Sequence, residues 1–166
     1  SGMKNPTSGD FSVMLNSVYA AQHPHHFVYR GYEVETTGNL LTHVVLRGAV
    51  NKHGNSTQNY HYEDLMRLCD MYAKMDLANP AAIVDANHSN SGKQFKEQIR
   101  IVKEVMHNRL LSSDIYSMVK GVMIESYIEP GNQKIGGDHI YGKSITDPCL
   151  GWDESEKLLY TIAELC

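Results

Sequence analysis

Three short apolar runs set the limits on what this chain can fold into: His43-Val44-Val45-Leu46, Ala81-Ala82-Ile83-Val84-Asp85, and Val119 to Ile124. Each is too short for a buried helix and too continuously apolar for a strand with one wet face, so each reads as a strand buried on both faces. The stretches around them have a helical period. Phe11, Met14, Leu15 and Val18 recur over Asp10 to Ala21, with Ser8 or Asp10 as the N-cap; Leu65, Leu68, Tyr72 and Met75 do so over Glu63 to Met75. Phe95, Ile99, Val102, Met106 and Leu110 form a stripe over Lys93 to Leu111, and a last helix is predicted over Glu154 to Glu164. Strands alternating with helices predict βαβ units and a parallel sheet, the α/β class. His26 to Arg30 and Tyr32 to Thr37 read as a β-hairpin; the turn signal Gly38-Asn39 then leads into the buried strand over Thr42 to Gly48. Val50 to Gln58, polar and rich in Gly and Asn, reads as a loop. Both an open doubly wound sheet and part of a (β/α)8 barrel fit this order, and periodicity does not separate them.

Length and charge narrow the partners. A chain of 166 residues can form one domain, here taken as 1–166, with a sizeable core. Its formal net charge is −4, and its 15 Lys and Arg are scattered rather than gathered into a stripe, which argues against nucleic acid and anionic membranes as partners. No apolar run approaches the roughly 20 residues of a membrane span, and the polar N-terminus lacks a signal-peptide core, so a cytoplasmic location is expected. Cys69, Cys149 and Cys166 are odd in number and irregular in spacing, which points to reduced thiols rather than a disulfide framework or a zinc knuckle.

The ends of the apolar runs carry the chemistry. Arg47 follows Val44-Val45-Leu46, His88 follows Ile83-Val84-Asp85, and Glu125 follows Val122-Met123-Ile124. In α/β folds the C-terminal edge of the sheet is where ligands bind, so a parallel sheet would bring these three side chains to one rim. Lys4 joins them if Met3-Lys4-Asn5-Pro6 ends a strand, and Asp147 follows in a later loop. His, Glu and Asp make an N/O ligand set for Mn²⁺, Fe²⁺ or Zn²⁺. Arg47 suits a phosphate or carboxylate as a bidentate fork, Lys4 as a point charge. The plainer readings are a hydrogen-bonded structural His88, a surface Glu125, a solvated Lys4, and Asp147 as the turn residue of Thr146-Asp147-Pro148. His23, His25, His26, His53 and His61 show no ligand spacing and are read as structural or solvent-facing.

Five segments, in order and spacing, resemble the type I DAHP synthases: Met3-Lys4-Asn5-Pro6-Thr7-Ser8-Gly9; His43-Val44-Val45-Leu46-Arg47-Gly48; Asp85-Ala86-Asn87-His88-Ser89-Asn90-Ser91-Gly92-Lys93-Gln94; Gly121-Val122-Met123-Ile124-Glu125-Ser126 with Gly131-Asn132-Gln133; and Tyr141-Gly142-Lys143-Ser144-Ile145-Thr146-Asp147. The resemblance implies the C-terminal half of a (β/α)8 TIM barrel with a β-hairpin insertion. It implies the condensation of phosphoenolpyruvate with erythrose 4-phosphate to DAHP and phosphate, the first step of the shikimate pathway, with a divalent metal as cofactor. His88, Glu125 and Asp147 match three of the family's four metal ligands, and Lys4 and Arg47 match phosphoenolpyruvate contacts. A metal-dependent hydrolase on a doubly wound sheet would leave the five ordered segments without explanation.

Departures from the family pattern matter as much. Its fourth ligand is a cysteine on the first barrel strand, and further Arg and Lys phosphate contacts lie on early strands; Cys69, Cys149 and Cys166 fall outside that motif. A full barrel needs about 250 residues, so the N-terminal half is expected to be absent from these 166. Unpaired strand edges and an apolar inner face would favour pairing with a separate N-terminal half or with a second copy. The alternative is a catalytically inactive truncated or split-gene module that binds phosphate ligands or oligomerises. In the family the hairpin helps form an aromatic amino-acid inhibitor site; Phe27 matches an apolar position there, while Tyr29 stands where a small hydroxyl residue is often found.

Overall fold

In the computed structural model, which describes residues 1–166, the chain opens with strand β1 (Gly2–Lys4). Asn5 still donates its N–H to the Val45 carbonyl at 3.1 Å, and Pro6, with no N–H to offer a ladder, follows it. The Asp10 carboxylate then caps α1 (Phe11–Gln22), accepting the backbone N–H of Ser12 at 2.8 Å. Phe11, Met14, Leu15 and Val18 are the buried face, as their spacing predicts. At the far end the buried Gln22 amide donates to the carbonyls of Thr42 and Ala78 and accepts from the Ala78 N–H, tying α1 to the N-terminal end of the sheet.

Strands β2 (His26–Tyr29) and β3 (Tyr32–Glu35) form the expected hairpin. Its two-residue turn, Arg30-Gly31, has positive φ at both positions (51° and 81°), the type I′ geometry whose twist matches the flanking strands. The buried strand β4 (His43–Leu46) comes next. Within the segment expected to be a loop, β5 (Ala49–Val50) and β6 (Ser56–Thr57) pair as a small antiparallel ribbon. Two-residue strands are too short to show an alternating pattern, so the sequence carries no sign of them.

Helix α2 (Tyr62–Lys74) starts at His61, whose backbone N–H donates to the Asp64 carboxylate at 3.3 Å, and leads to β7 (Ala82–Asp85). Helix α3 (Glu97–Leu111) begins four residues later than its apolar stripe predicts. Gly92 and Lys93 lie at φ 59° and 62°, in the left-handed region, which a right-handed helix cannot incorporate. The short α4 (Ser113–Met118), capped by Ser112, was not legible as a periodic stripe at six residues. Strand β8 (Val119–Met123) precedes a parallel pair, β9 (Glu129–Asn132) and β10 (Lys143–Ser144), and α5 (Trp152–Glu164) closes the chain.

The main sheet has the order β1-β4-β7-β8, all parallel. Each strand lies beside the next one in sequence, with no reversal of order. The reversal that marks the switch point of a doubly wound sheet does not occur among these four strands, and the arrangement fits a segment of (β/α)8 barrel wall. Val44, Leu46, Ala82 and Val84 face the helices and merge with Leu15, Leu65, Leu68, Ile101 and Val105 into one core. The registers place Lys4, Val45, Ile83 and Gly121 in one row across the opposite face, with Asp85 and Met123 in the next. No helix is long and apolar enough to cross a membrane, and all three cysteines are free.

Helix α5 offers a paired test of this packing. Leu158 is 2% exposed and Leu159 is 61% exposed. Leu158→Ala is expected to lower stability by about 2–4 kcal/mol, and Leu159→Ala by no more than about 0.5 kcal/mol. Urea unfolding of the two variants checks it; equal losses would mean α5 does not pack through the face described.

Candidate metal centre and anion-binding rim

The C-terminal rim of the sheet is held by buried side-chain amides. Asn5 donates to the Gly48 carbonyl at 2.8 Å, and its Oδ1 accepts from the Arg47 N–H at 2.9 Å and from Asn59 Nδ2 at 3.1 Å. Asn59 accepts from the Gly48 N–H, and its own N–H donates to Asn90 Oδ1 at 3.0 Å. Asn90 then donates to the carbonyls of Leu46 and Asp85. Strand ends that the sheet ladder no longer satisfies are thus locked to one another. Gly48 is required here: its φ is +76°, and a Cβ would stand 2.6 Å from the Asn90 nitrogen.

Each expected site residue reaches this rim. Lys4 ends β1 and Arg47 follows β4. The Lys4 ammonium donates to Asp85 Oδ2 at 3.2 Å, while the Arg47 guanidinium, half-buried, is in no ion pair within the chain. His88 sits in the loop after β7 at φ +42°, an uncommon backbone setting for a non-glycine residue. Glu125 follows β8, where Asn87 Nδ2 donates to its Oε2 at 2.7 Å. Asp147 arrives from a loop that the sequence alone did not orient. Cys149 and Gly131 exchange backbone hydrogen bonds in both directions, and the Leu150 N–H donates to the Glu125 carbonyl at 3.0 Å. These bonds lay the segment carrying Asp147 beside the exit of β8.

His88, Glu125 and Asp147 consequently form one cluster, with one potential ligand atom from each lying within 4.8 Å of the others. The set fits a divalent transition metal on two observations. His88 Nδ1 is buried with no aligned hydrogen bond, although Asp85 Oδ2 lies 2.9 Å and Glu125 Oε1 3.4 Å away. In addition, of the carboxylates Asp85, Glu125 and Asp147 only Asp85 is paired with a permanent cation, Lys4, which leaves an excess of negative charge that a divalent cation would balance. The nearby Cys149 thiol donates to the Asp147 carbonyl at 3.3 Å. Burial pushes that thiol up, against a lowering by the Ser144 hydroxyl, with lesser upward contributions from the negative charge of Glu125 and of Asp147. None of the three cysteines belongs to the cluster.

Residues outside the expected set support it. Gln98, fully buried on α3, grips Glu125 by the backbone at both ends: its Oε1 accepts the Glu125 N–H at 2.8 Å and its Nε2 donates to the Glu125 carbonyl at 3.1 Å. Asp85 is wholly buried between Lys4 and His88. A charged residue closing an otherwise apolar strand was the available signal for Asp85. For Gln98 the signal was a polar residue lying among the apolar positions of a helical stripe. Gln98→Leu, which leaves both Glu125 backbone groups without their partner, is expected to cost about 2–4 kcal/mol by urea unfolding; a loss below about 0.5 kcal/mol would show that Glu125 is held by other means.

Comparison with known proteins identifies the family of the chain. The DAHP synthetase I family profile matches residues 2–160. Phospho-2-dehydro-3-deoxyheptonate aldolase of Haemophilus influenzae is 35% identical over 170 aligned residues, covering 98% of this chain and 44% of that protein. The Trp-sensitive enzyme of that name from Enterobacter agglomerans is 37% identical, covering 98% and 46%. Among solved structures, phospho-2-dehydro-3-deoxyheptonate aldolase from Francisella tularensis SCHU S4 superposes with a TM-score of 0.85 at 32% identity, over 99% of this chain and 47% of that one. The chain spans less than half the length of these relatives, and it belongs to the DAHP synthetase I family.

Proposed function

We propose that this chain carries the metal-holding and phosphoenolpyruvate-holding part of a DAHP synthase site, which joins phosphoenolpyruvate to erythrose 4-phosphate. The observation that supports it is the meeting of His88, Glu125 and Asp147 beside Lys4 and Arg47 on one rim of a sheet from this family. In the condensation, C3 of phosphoenolpyruvate bonds to the aldehyde carbon of erythrose 4-phosphate, water adds at C2, and the C2–O bond to phosphate breaks. Arg47 offers an unpaired bidentate fork and Lys4 a mobile point charge, the two donor types that hold a phosphate-bearing, carboxylate-bearing substrate. Their places on adjacent strand ends, fixed through Asn5, hold that substrate at the rim rather than in solvent. His88, Glu125 and Asp147 are the residues that would hold the divalent cation, Mn²⁺, Fe²⁺ or Zn²⁺. When bound, that cation supplies Lewis-acid polarisation of the aldehyde oxygen.

A second reading has its own support. The cluster contains no thiol, whereas the family resemblance calls for a cysteine ligand from an earlier strand. On this reading the chain binds metal and anion but turns over only with polypeptide that supplies the cysteine, such as a separate N-terminal half; a second copy could cover exposed apolar side chains such as Trp152 and Tyr160.

Two measurements on the purified chain test the proposal. In a Mn²⁺ titration followed by electron paramagnetic resonance, His88→Ala is expected to weaken binding by at least about tenfold, as loss of a ligand should. Phosphate release from phosphoenolpyruvate is then followed with erythrose 4-phosphate and Mn²⁺ present. Turnover abolished by His88→Ala means a complete site; binding without turnover supports the second reading. Failure to bind either Mn²⁺ or phosphoenolpyruvate overturns both.

A further inference from the structure

Asp85 belongs to both sides of the site at once. Its Oδ1 accepts the Asn87 N–H at 3.0 Å, which leaves Oδ2 facing Lys4 Nζ at 3.2 Å and His88 Nδ1 at 2.9 Å. The side chain has no solvent exposure, so bulk water does not serve as another partner. A single carboxylate oxygen therefore stands between a cation on the anion-binding side and an imidazole on the metal side. Resting on the reading above, in which Lys4 takes phosphoenolpyruvate and His88 the metal, we infer that Asp85 is a positioning residue that couples occupancy of the two subsites.

The direction of coupling follows from which partner can move. Lys4 is about a third exposed, on a flexible four-carbon stem, and can swing toward an arriving anion. Asp85 cannot follow, because the β7 ladder and the Asn87 N–H fix it. His88 is held at its backbone, where its carbonyl accepts the Lys93 N–H at 3.0 Å. As Lys4 turns to the anion, Oδ2 keeps His88 as its neighbour. In the resting arrangement His88 Nδ1, 2.9 Å from Oδ2, makes no aligned hydrogen bond; freed of Lys4, Oδ2 can accept from it, and a carboxylate so bonded to Nδ1 orients the ring and strengthens Nε2 as a metal donor. The anion thus tightens metal binding, and by linkage the metal tightens anion binding by the same factor. The plainer role for Asp85, closing the turn after β7, needs only Oδ1, and Asp85→Asn retains that acceptor while removing the charge.

The test uses the full chain, with Mn²⁺ affinity read from the resonance of free Mn²⁺ with and without saturating phosphoenolpyruvate. Calorimetry of phosphoenolpyruvate with and without Mn²⁺ gives the reverse arm. In the unaltered chain each ligand is expected to tighten the other by about 5–50-fold. In Asp85→Asn both still bind, and the factor falls to within about twofold of unity. Lys4→Met, its folding checked by circular dichroism, is expected to tighten Mn²⁺ several-fold without phosphoenolpyruvate, because it releases the same oxygen. A coupling factor that survives in Asp85→Asn, no coupling in the unaltered chain, or Mn²⁺ affinity unchanged by Lys4→Met each overturns this inference and leaves the proposed function standing. An unaltered chain that binds neither ligand overturns the function itself.

Discussion

The site depends on the lock of buried amides formed by Asn5, Asn59 and Asn90 at the end of the sheet. Where β1, β4 and β7 stop pairing, their terminal N–H and carbonyl groups face a region that is neither ladder nor open water. An unsatisfied buried backbone group costs on the order of 1–3 kcal/mol, so several at one rim would fray it. Asparagine suits this place, because one short side chain carries both a donor and an acceptor and can bridge strands that no longer match in register. The lock fixes the Arg47 backbone and the exit of β7 in the same frame. Lys4 and His88, 84 positions apart in sequence, thereby come to share one carboxylate oxygen.

That rigidity is what allows so many like charges to be gathered in one place. Asp85, Glu125 and Asp147 would repel one another if free to relax, and Asp85 has lost its water altogether. Hydrogen bonds distribute the cost: Asn87 serves both Asp85, through its N–H, and Glu125, through its amide, while Gln98 holds the Glu125 backbone from behind. The Asp85 and Glu125 carboxylates are thereby held in place within the chain itself, and side chains already ordered do not lose that entropy when a ligand binds.

How much of this was legible in the sequence depended on the range of the interactions. The apolar runs and helical stripes act locally, and they placed β4, β7, β8 and the main helices to within a few residues. Strand ends carrying Arg47, His88 and Glu125 could be assigned to a common rim because a parallel sheet forces it. The sheet order was not readable, since periodicity is the same for a barrel wall and a doubly wound sheet; the strand pairing and the superposition on the solved relative decide it. The approach of Asp147 was hidden for a similar reason. It rests on backbone bonds between Gly131 and Cys149 and between Leu150 and Glu125, which leave no trace in side-chain pattern. Gln98 and Asp85 were visible as polar residues in apolar settings, but the partners that give them meaning are far away in sequence.

The one helix boundary that the apolar stripe misplaced by several residues lies in the loop that carries His88. Phe95 and the residues before it have a pattern that would let α3 begin near Lys93, yet Gly92 and Lys93 are left-handed, as is His88 itself. Had the helix started there, the run from Asn87 to Lys93 would be drawn toward the helix, and Asn87 and Asn90 would lose the geometry with which they bond Glu125 and Asp85. Local preference is overridden in the loop that carries His88, at a cost of order 1–3 kcal/mol for each strained residue that the surrounding amide bonds must offset. Simple periodicity fails at this loop because the bonds that hold its strained backbone are the same long-range ones that fix Asp85 and Glu125.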